Sequence, residues 1–233
     1  MNLGDRMKRY EEVTKFRFTR RTPVILRVDG KAFHTWTKGL EKPFDGFLIA
    51  SMADAAKDLM EHMQGCKLAY IQSDEASFLL TDWEELTTEP WLGNSLQKMV
   101  SVSSSIMTAS FNKWWKDKSL AFFDARAFQL PKEEVANYFL WRAKDWHRNS
   151  IQMFARAFFS HKECHKKSLE DLHEMLHTKG KNWTTNLRAQ ERNGTFIYKA
   201  ADQGGASEGY KFDSWVLPTF EAVNGLVEKV LPK

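Results

Sequence analysis

Three acidic residues stand out by position in this 233-residue chain: Asp29 in RVDG, and the adjacent Asp74 and Glu75 in QSDEAS. Carboxylates drawn together repel one another, and a divalent cation with oxygen ligands relieves the repulsion. Mg²⁺ suits such a site, because it binds one or two carboxylates, keeps several waters and also takes phosphate oxygens. The chemistry implied is phosphoryl transfer. Two such ions about 4 Å apart would lower the pKa of an attacking hydroxyl and neutralise a pyrophosphate leaving group. Acidic residues at strand ends and in turns are also common surface decoration, so spacing alone leaves both readings open.

Gly30 opens the segment GKAFH, which leads from a strand into a turn and could offer successive backbone N–H groups to a phosphate, with Lys31, Lys38 and Lys42 close in sequence. The segment is neither GxxxxGK[ST] nor GxGxxG, and one glycine after a strand is more often only a turn. His34 is open to two roles, a phosphate contact or a cap on that turn.

The elements that must position these residues follow from hydrophobic period. In VILRVDG, after Pro23, Val24, Leu26 and Val28 alternate with Ile25, Arg27 and Asp29, which predicts a mostly buried strand stopped by Gly30. From Phe44 to about Gln64, apolar residues recur at three- and four-residue intervals, the stripe of an amphipathic helix. CKLAYIQ and ASFLLT, separated by Ser73, Asp74 and Glu75, predict a β-hairpin with the acidic pair at or just past its tip. A second helix is expected between Asn94 and Phe111, and AFFDARAFQL restores a strand that Pro131 closes. Strand, helix, hairpin, helix, strand is the βαββαβ order of a ferredoxin-like α+β fold, which brings the end of the first strand beside the hairpin. Beyond it, 132–160 predicts a long aromatic-rich helix, Ser168–His177 a further helix, Gly180–Gly194 a loop, TFIYKA a short strand, and QGGASEG a flexible segment. Residues 5–131 are therefore expected to form the palm, with 132–233 a C-terminal helical and small β region.

Composition narrows the classes. An apolar fraction of 42% and 27% charged residues are globular values. No run of about 18 uncharged apolar residues is present to cross a bilayer, and the first residues lack the continuous apolar segment of a secretory signal. Two cysteines, Cys66 and Cys164, fit a reducing compartment, so a cytoplasmic location without membrane attachment is expected. The net charge of +4 is modest, but basic residues gather in 1–22 and 161–200, either side of a near-neutral centre. That arrangement suits a polyanion lying across a site; solvated surface lysines are the plainer explanation.

Taken together, RVDGKAFH at 27–34, KPFD at 42–45, AYIQSDEASFLL at 69–80, the lysine of LQKMVS at 96–101 and FDARAF at 123–128 resemble the tRNA(His) guanylyltransferase family, including its tRNA-repairing relatives that polymerise in the 3′-to-5′ direction. The resemblance runs from about residue 5 to 155. It implies a polymerase-like palm in which Asp29, the Gly30 carbonyl and Asp74 hold two Mg²⁺ ions, with Glu75 in support as a third catalytic acid. It also implies that the backbone of Gly30, Lys31, Ala32, Phe33 and His34, with Lys42, Ser73 and Lys98, holds a nucleoside triphosphate. The implied reaction activates a tRNA 5′-monophosphate with ATP, giving a 5′-adenylylated end from which the 3′-hydroxyl of GTP or another nucleotide displaces AMP. The implied partners are tRNA and nucleoside triphosphates, and the implied assembly a homotetramer.

KDWHRNSIQM carries His147 and Asn149 at the start of the eukaryotic HINNLYN motif, but Ser150, Ile151, Gln152 and Met153 depart from it. The departure resembles the bacterial, archaeal and phage-type members, which implies repair of 5′-truncated tRNAs more than strict addition of an untemplated G. His147, Arg148 and Asn149 are then candidates for contact with the activated RNA end. Two other functions compete: a palm-type nucleotide cyclase or dinucleotide synthase, and a non-catalytic RNA-binding module. QSDEAS replaces the GG[DE]EF-like loop of the synthases, and retention of Asp29, Asp74, Glu75 and Lys98 argues against a decayed enzyme. His161, Cys164, His165, His173 and His177 lack the CxxC pairing of a zinc site, so no zinc is expected. Trp114, Trp115, Trp141 and Trp146 are candidates for stacking on bases, although at helical spacing they more often fill a core.

Overall fold

The computed structural model describes residues 1–200, 209–213 and 218–232. The chain begins with α1 (Leu3–Glu12), then β1 (Val24–Gly30), the single-turn α2 (Phe33–Trp36) and α3 (Gly46–His62). The hairpin β2 (Cys66–Gln72) and β3 (Glu75–Leu80) comes after α3, then α4 (Leu96–Asn112) and β4 (Phe123–Gln129). Next come α5 (Val135–Arg156), α6 (His161–Cys164), α7 (Leu169–Thr178), α8 (Trp183–Asn186) and α9 (Ala189–Asn193). The described chain closes with β5 (Thr195–Ala200), β6 (Gly209–Asp213) and α10 (Phe220–Val230).

The strands form an antiparallel sheet in the order β4-β1-β3-β2-β5-β6. Its first four members are the ferredoxin-like arrangement read from the βαββαβ pattern. Strand alternation sends Val24, Leu26 and Val28 to one face, where they meet Met52, Ala55 and Leu59 of α3 and Met99 and Met107 of α4. The same alternation sends Ile25 to the opposite face, with Leu68, Tyr70 and Leu79, under Val135 and Phe139 of α5 and Val223 and Val227 of α10. The sheet is thus covered on both faces and does not stop at residue 131. A third apolar cluster joins Trp146, Ile151 and Phe154 of α5 to Leu172 and Leu176 of α7, Trp183 of α8, and Phe44.

Local chemistry explains the boundaries. Asp45 accepts the Leu48 N–H at 2.9 Å and caps α3. Gly65 lies just past the helix at φ 75°, where a Cβ would lie 2.1 Å from the Thr81 carbonyl oxygen. Ser168 and Asp171 cap α7 reciprocally.

Residues 180–194, expected as a loop, instead contain α8 and α9. The Asn182 side chain caps the Thr184 and Thr185 amides, Glu191 binds Arg188, and Trp183 and Leu187 are buried. These turns are held by caps and anchors that carry no helical period. The expected helix over 132–160 is shorter, spanning 135–156 after a 3₁₀ turn. The segment 203–209 lies outside the described residues except for Gly209.

Candidate active site

The site forms where β1 ends beside the β2–β3 turn. Asp29 pairs in register with Glu75 on one side and with Asp124 of β4 on the other. The Gly30 N–H donates to the Asp74 carbonyl oxygen at 3.0 Å, which locks the turn against the strand exit. Asp29, Asp74 and Glu75 are therefore brought together. In-register partners share a face, so Asp124, Asp29 and Glu75 form an acidic row, with Arg126, Arg27 and Ser77 as the next row back.

The three acids play different parts. Both Glu75 oxygens are gripped by Arg142 of α5, at 2.8 and 2.9 Å, and Arg27 approaches at 3.8 Å. Burial raises the Glu75 carboxyl above its ordinary range, and the two arginines oppose that rise. Asp29 and Asp74 make no ion pair among the described residues. Burial, then the Asp124 carboxylate, pushes Asp29 up. Burial also raises Asp74, against a hydrogen bond from Ser73 and with repulsion from Asp29 added.

Among the described residues no group of three or more His, Cys, Asp or Glu side chains is arranged to hold a metal ion. Two half-buried carboxylates that repel each other, make no ion pair among the described residues and feel Arg27, Arg126, Arg142 and His34 only at longer range nonetheless fit Mg²⁺, which draws its remaining ligands from carbonyl, water and phosphate oxygens. The fit rests on Asp29, Asp74 and the Gly30 carbonyl, because Glu75 is already engaged.

Two cavities meet at the hairpin tip. One, of about 300 Å³, lies over Asp29, Asp74 and Glu75 and is walled by Arg142, Asp145, Asn149, Gln152 and Arg156 of α5. The other, of about 400 Å³, is more apolar; Leu40, Leu48, Ile49 and Ile71 line it together with His34, Lys42 and Ser73. The Lys31 side chain is exposed and lines neither cavity, and the Phe33 ring is buried between Trp36, Phe111 and Phe123. Those two residues thus put no side chain into either cavity. Ala32 and Ser73 take left-handed φ values of 56° and 50°, so both turns at the site hold a conformation uncommon for residues other than glycine.

Lys98 is not brought here. It sits exposed on the first turn of α4, beside the Phe16–Leu96 backbone bond, whereas the far end of α4 is the one that meets Ala121 and the strand end paired with Gly30. A 17-residue helix is about 25 Å long, which sets Lys98 at the opposite end of the sheet from Asp29 within this chain.

His147, Arg148 and Asn149 also separate, because successive helical residues point in different directions. Asn149 lines the acidic cleft and donates to Asp145 at 3.2 Å. Arg148 is exposed and paired with Asp145. His147 instead meets the Trp183 ring at 4.8 Å, and burial lowers its pKa, with His173 and Arg192 adding to the effect.

The sequence reading missed Asp124, Arg126 and Arg142. FDARAF was visible as a motif, but only strand register places Asp124 opposite Asp29, and only helix packing brings Arg142 to Glu75. Of the four tryptophans considered for base stacking, Trp146 is buried and Trp115 packs on Trp36 and Phe47, while Trp114 and Trp141 are exposed and Trp141 carries Arg142 over its ring. No helix among the described residues is long and apolar enough to cross a membrane.

An antiparallel palm that sets two carboxylates beside a pair of adjoining cavities is an arrangement suited to nucleotidyl transfer. The family model described as tRNAHis guanylyltransferase matches residues 4–131, more than half the chain, and the chain belongs to that family of nucleotidyltransferases. Among solved structures, a bacterial tRNA(His) guanylyltransferase-like protein in complex with ATP is 40% identical, with a TM-score of 0.91 and 100% of both chains covered. A bacterial tRNA(His) guanylyltransferase-like protein in complex with GTP is 38% identical, with a TM-score of 0.82 over 98% of each chain. The tRNA(His) guanylyltransferase of Schizosaccharomyces pombe is 28% identical, across 88% of this chain and 84% of its own.

Proposed function

We propose that this chain extends the 5′ end of tRNA with nucleotides, first activating a 5′-monophosphate with ATP. The observation that carries the reading is the Gly30 amide bonded to the Asp74 carbonyl, which fixes Asp29 and Asp74 together beside a cavity lined by His34, Lys42 and Ser73. Relatives solved in complex with ATP and with GTP support nucleotide binding by this chain.

The base occupies the apolar cavity, and the phosphates run toward the strand exit. The Gly30 and Lys31 amides are taken by the Asp74 and Phe122 carbonyls, and those of Thr35 and Trp36 turn back onto Ala32. The amides of Ala32, Phe33 and His34, which none of these bonds engages, hold the triphosphate with Lys42 and Ser73. Asp29, Asp74 and the Gly30 carbonyl would hold Mg²⁺, which would supply charge neutralisation on the phosphates and a lowered pKa for the attacking hydroxyl. Glu75, clamped by Arg142, positions the turn that carries Asp74.

In the first step a tRNA 5′-phosphate oxygen attacks the α-phosphorus of ATP, and pyrophosphate leaves. In the second the 3′-hydroxyl of the incoming nucleotide attacks the tRNA 5′-phosphorus, and AMP leaves. The residues contribute chiefly by aligning these groups. Asn149 and Arg156, which face the cleft, are placed to meet the RNA end.

The test uses Mg²⁺, ATP, GTP and a tRNA lacking its first 5′ nucleotide, and the product is one or more nucleotides longer at that end. A 5′-triphosphorylated tRNA is extended without ATP, because its leaving group is already installed. Cyclic nucleotides alone, or no extension of either RNA, would overturn the proposal.

A further inference from the structure

We propose that a third cavity, across the segment 41–44 from the apolar one, binds an unpaired nucleotide of the RNA 3′ strand, its base stacked on Phe158 beside Lys181. This deepens the tRNA-extending reading above and rests on it. The cavity measures about 280 Å³, and Glu41, Lys42, Pro43 and Phe44 line both it and the larger apolar cavity. Phe154, Phe158, Lys181 and Asn186 are among the residues of its other walls. Cavities that share a wall can hold two parts of one substrate. A 5′ end that stops in the acidic cleft leaves its complementary strand running on past the duplex, and every nucleotide missing from the 5′ end lengthens that unpaired stretch.

Single-stranded RNA is held by aromatic rings on which its bases stack, set in a basic groove that follows its phosphates. This cavity carries both parts. The Phe158 ring is 38% exposed, an edge contact with Phe154 at 5.4 Å fixes it, and the Lys181 Nζ lies 5.2 Å from its centre. Neither Lys181 nor Lys42 makes an ion pair among the described residues, so both ammonium groups are open to a phosphate. Of the two acids on the walls, Glu191 is taken by Arg188 at 2.7 and 3.0 Å, and Glu41 lies in the field of the same arginine. Asn186 Oδ1 accepts the Asn182 N–H at 2.7 Å, which leaves the Asn186 amide donors for a base edge or a phosphate. Beside the cavity Lys179 lies over Phe159 at 5.8 Å, a second aromatic–cation pair on the neighbouring residue. Both lysines belong to the stretch 161–200, which holds eight basic residues against five acidic ones.

Fluorescence anisotropy of the full chain compares 5′-phosphorylated RNA hairpins that carry an unpaired 3′ tail, the same tail with abasic sugars, or an unpaired 5′ nucleotide. The abasic tail keeps the phosphates and removes the stacking. The native protein is expected to bind the base-bearing 3′ tail at least about fivefold more tightly than the abasic one. In Phe158→Ala the two tails bind within about twofold of each other, while affinity for the abasic tail and for ATP is unchanged; Phe158→Trp keeps the preference. Lys181→Ala weakens both tails alike and lowers the salt dependence by about one phosphate contact. Equal binding of the two tails by the native protein overturns the stacking site and leaves the 5′-extension reading standing. Full preference for the base-bearing tail in a Phe158→Ala protein that still binds ATP also overturns it, and so does tighter binding of the hairpin with the unpaired 5′ nucleotide. RNA that is neither bound nor extended overturns both this inference and the reading beneath it.

Discussion

Asp29 and Asp74 are maintained at a cost to the fold. Each carboxyl is raised above its ordinary value, so between that value and the raised one the native state holds more protons than the unfolded state. Stability contributed by the protonated forms is present at low pH and declines as pH climbs above the ordinary carboxylate range. At neutral pH the two charges therefore oppose folding unless a cation is bound. Asp74→Asn should melt at a temperature equal to or above that of the native chain at pH 7 without Mg²⁺, while 5′ extension falls at least about a hundredfold. Mg²⁺ should raise the melting temperature of the native chain and leave the variant's unchanged. A variant that keeps full activity would remove Asp74 from the site; one that melts well below the native chain would show the carboxylate to be structural. Glu75 belongs to a different class, since removing its charge would take from buried Arg142 its two shortest ion-pair contacts and leave it the Asp145 carboxylate at 3.4 Å.

At the scale of elements, the turn from Gly30 to Trp36 is the part most sensitive to volume. A Cβ on Gly30 would lie 2.3 to 2.6 Å from atoms of the Phe33 ring, and that ring is fixed by Trp36, Phe111 and Phe123. Gly30→Ala should cost about 1–3 kcal/mol, read by urea denaturation, and weaken ATP binding more than tenfold. Adding Phe33→Leu should recover part of both losses, because the crowding is with the ring; no recovery would place the defect in the backbone of the turn itself. The elements around this turn were legible in the sequence wherever burial imposed a period: β1 by alternation, α3 and α4 by their apolar stripes, β2 and β3 by two short runs around Ser73 and Asp74. Pairing the end of β1 with the hairpin followed from that order. What escaped was decided by register and packing. Asp124 faces Asp29 only because β4 and β1 align there, and Arg142 reaches Glu75 only because α5 covers that sheet face. Lys98 carried a family motif yet lies at the far end of α4, since a motif reports sequence order and not which end of a helix faces the site.

At the scale of the molecule, residues 1–131 hold the palm strands and the carboxylates but only one of the sheet's two covers. Ile25, Leu68, Tyr70 and Leu79 are fully buried, and their cover comes from α5, β5 and α10, all beyond residue 131. β5 also pairs with the outer edge of β2, which would otherwise present open backbone groups. Baring four such side chains forfeits about 1.5–3 kcal/mol each. That loss is comparable with the roughly 5–15 kcal/mol by which a domain is stable. The boundary near 131 is then expected to be one of chain position only, with the palm folding together with the C-terminal region. A fragment of residues 1–131 should show no cooperative urea transition and no near-ultraviolet circular dichroism. The whole chain should unfold in one step, with tryptophan fluorescence and far-ultraviolet dichroism coincident, because its tryptophans lie on both sides of the boundary. A fragment that unfolds cooperatively by itself, or two separated transitions in the whole chain, would show that the sheet's second cover is dispensable and that the C-terminal region is an independent unit.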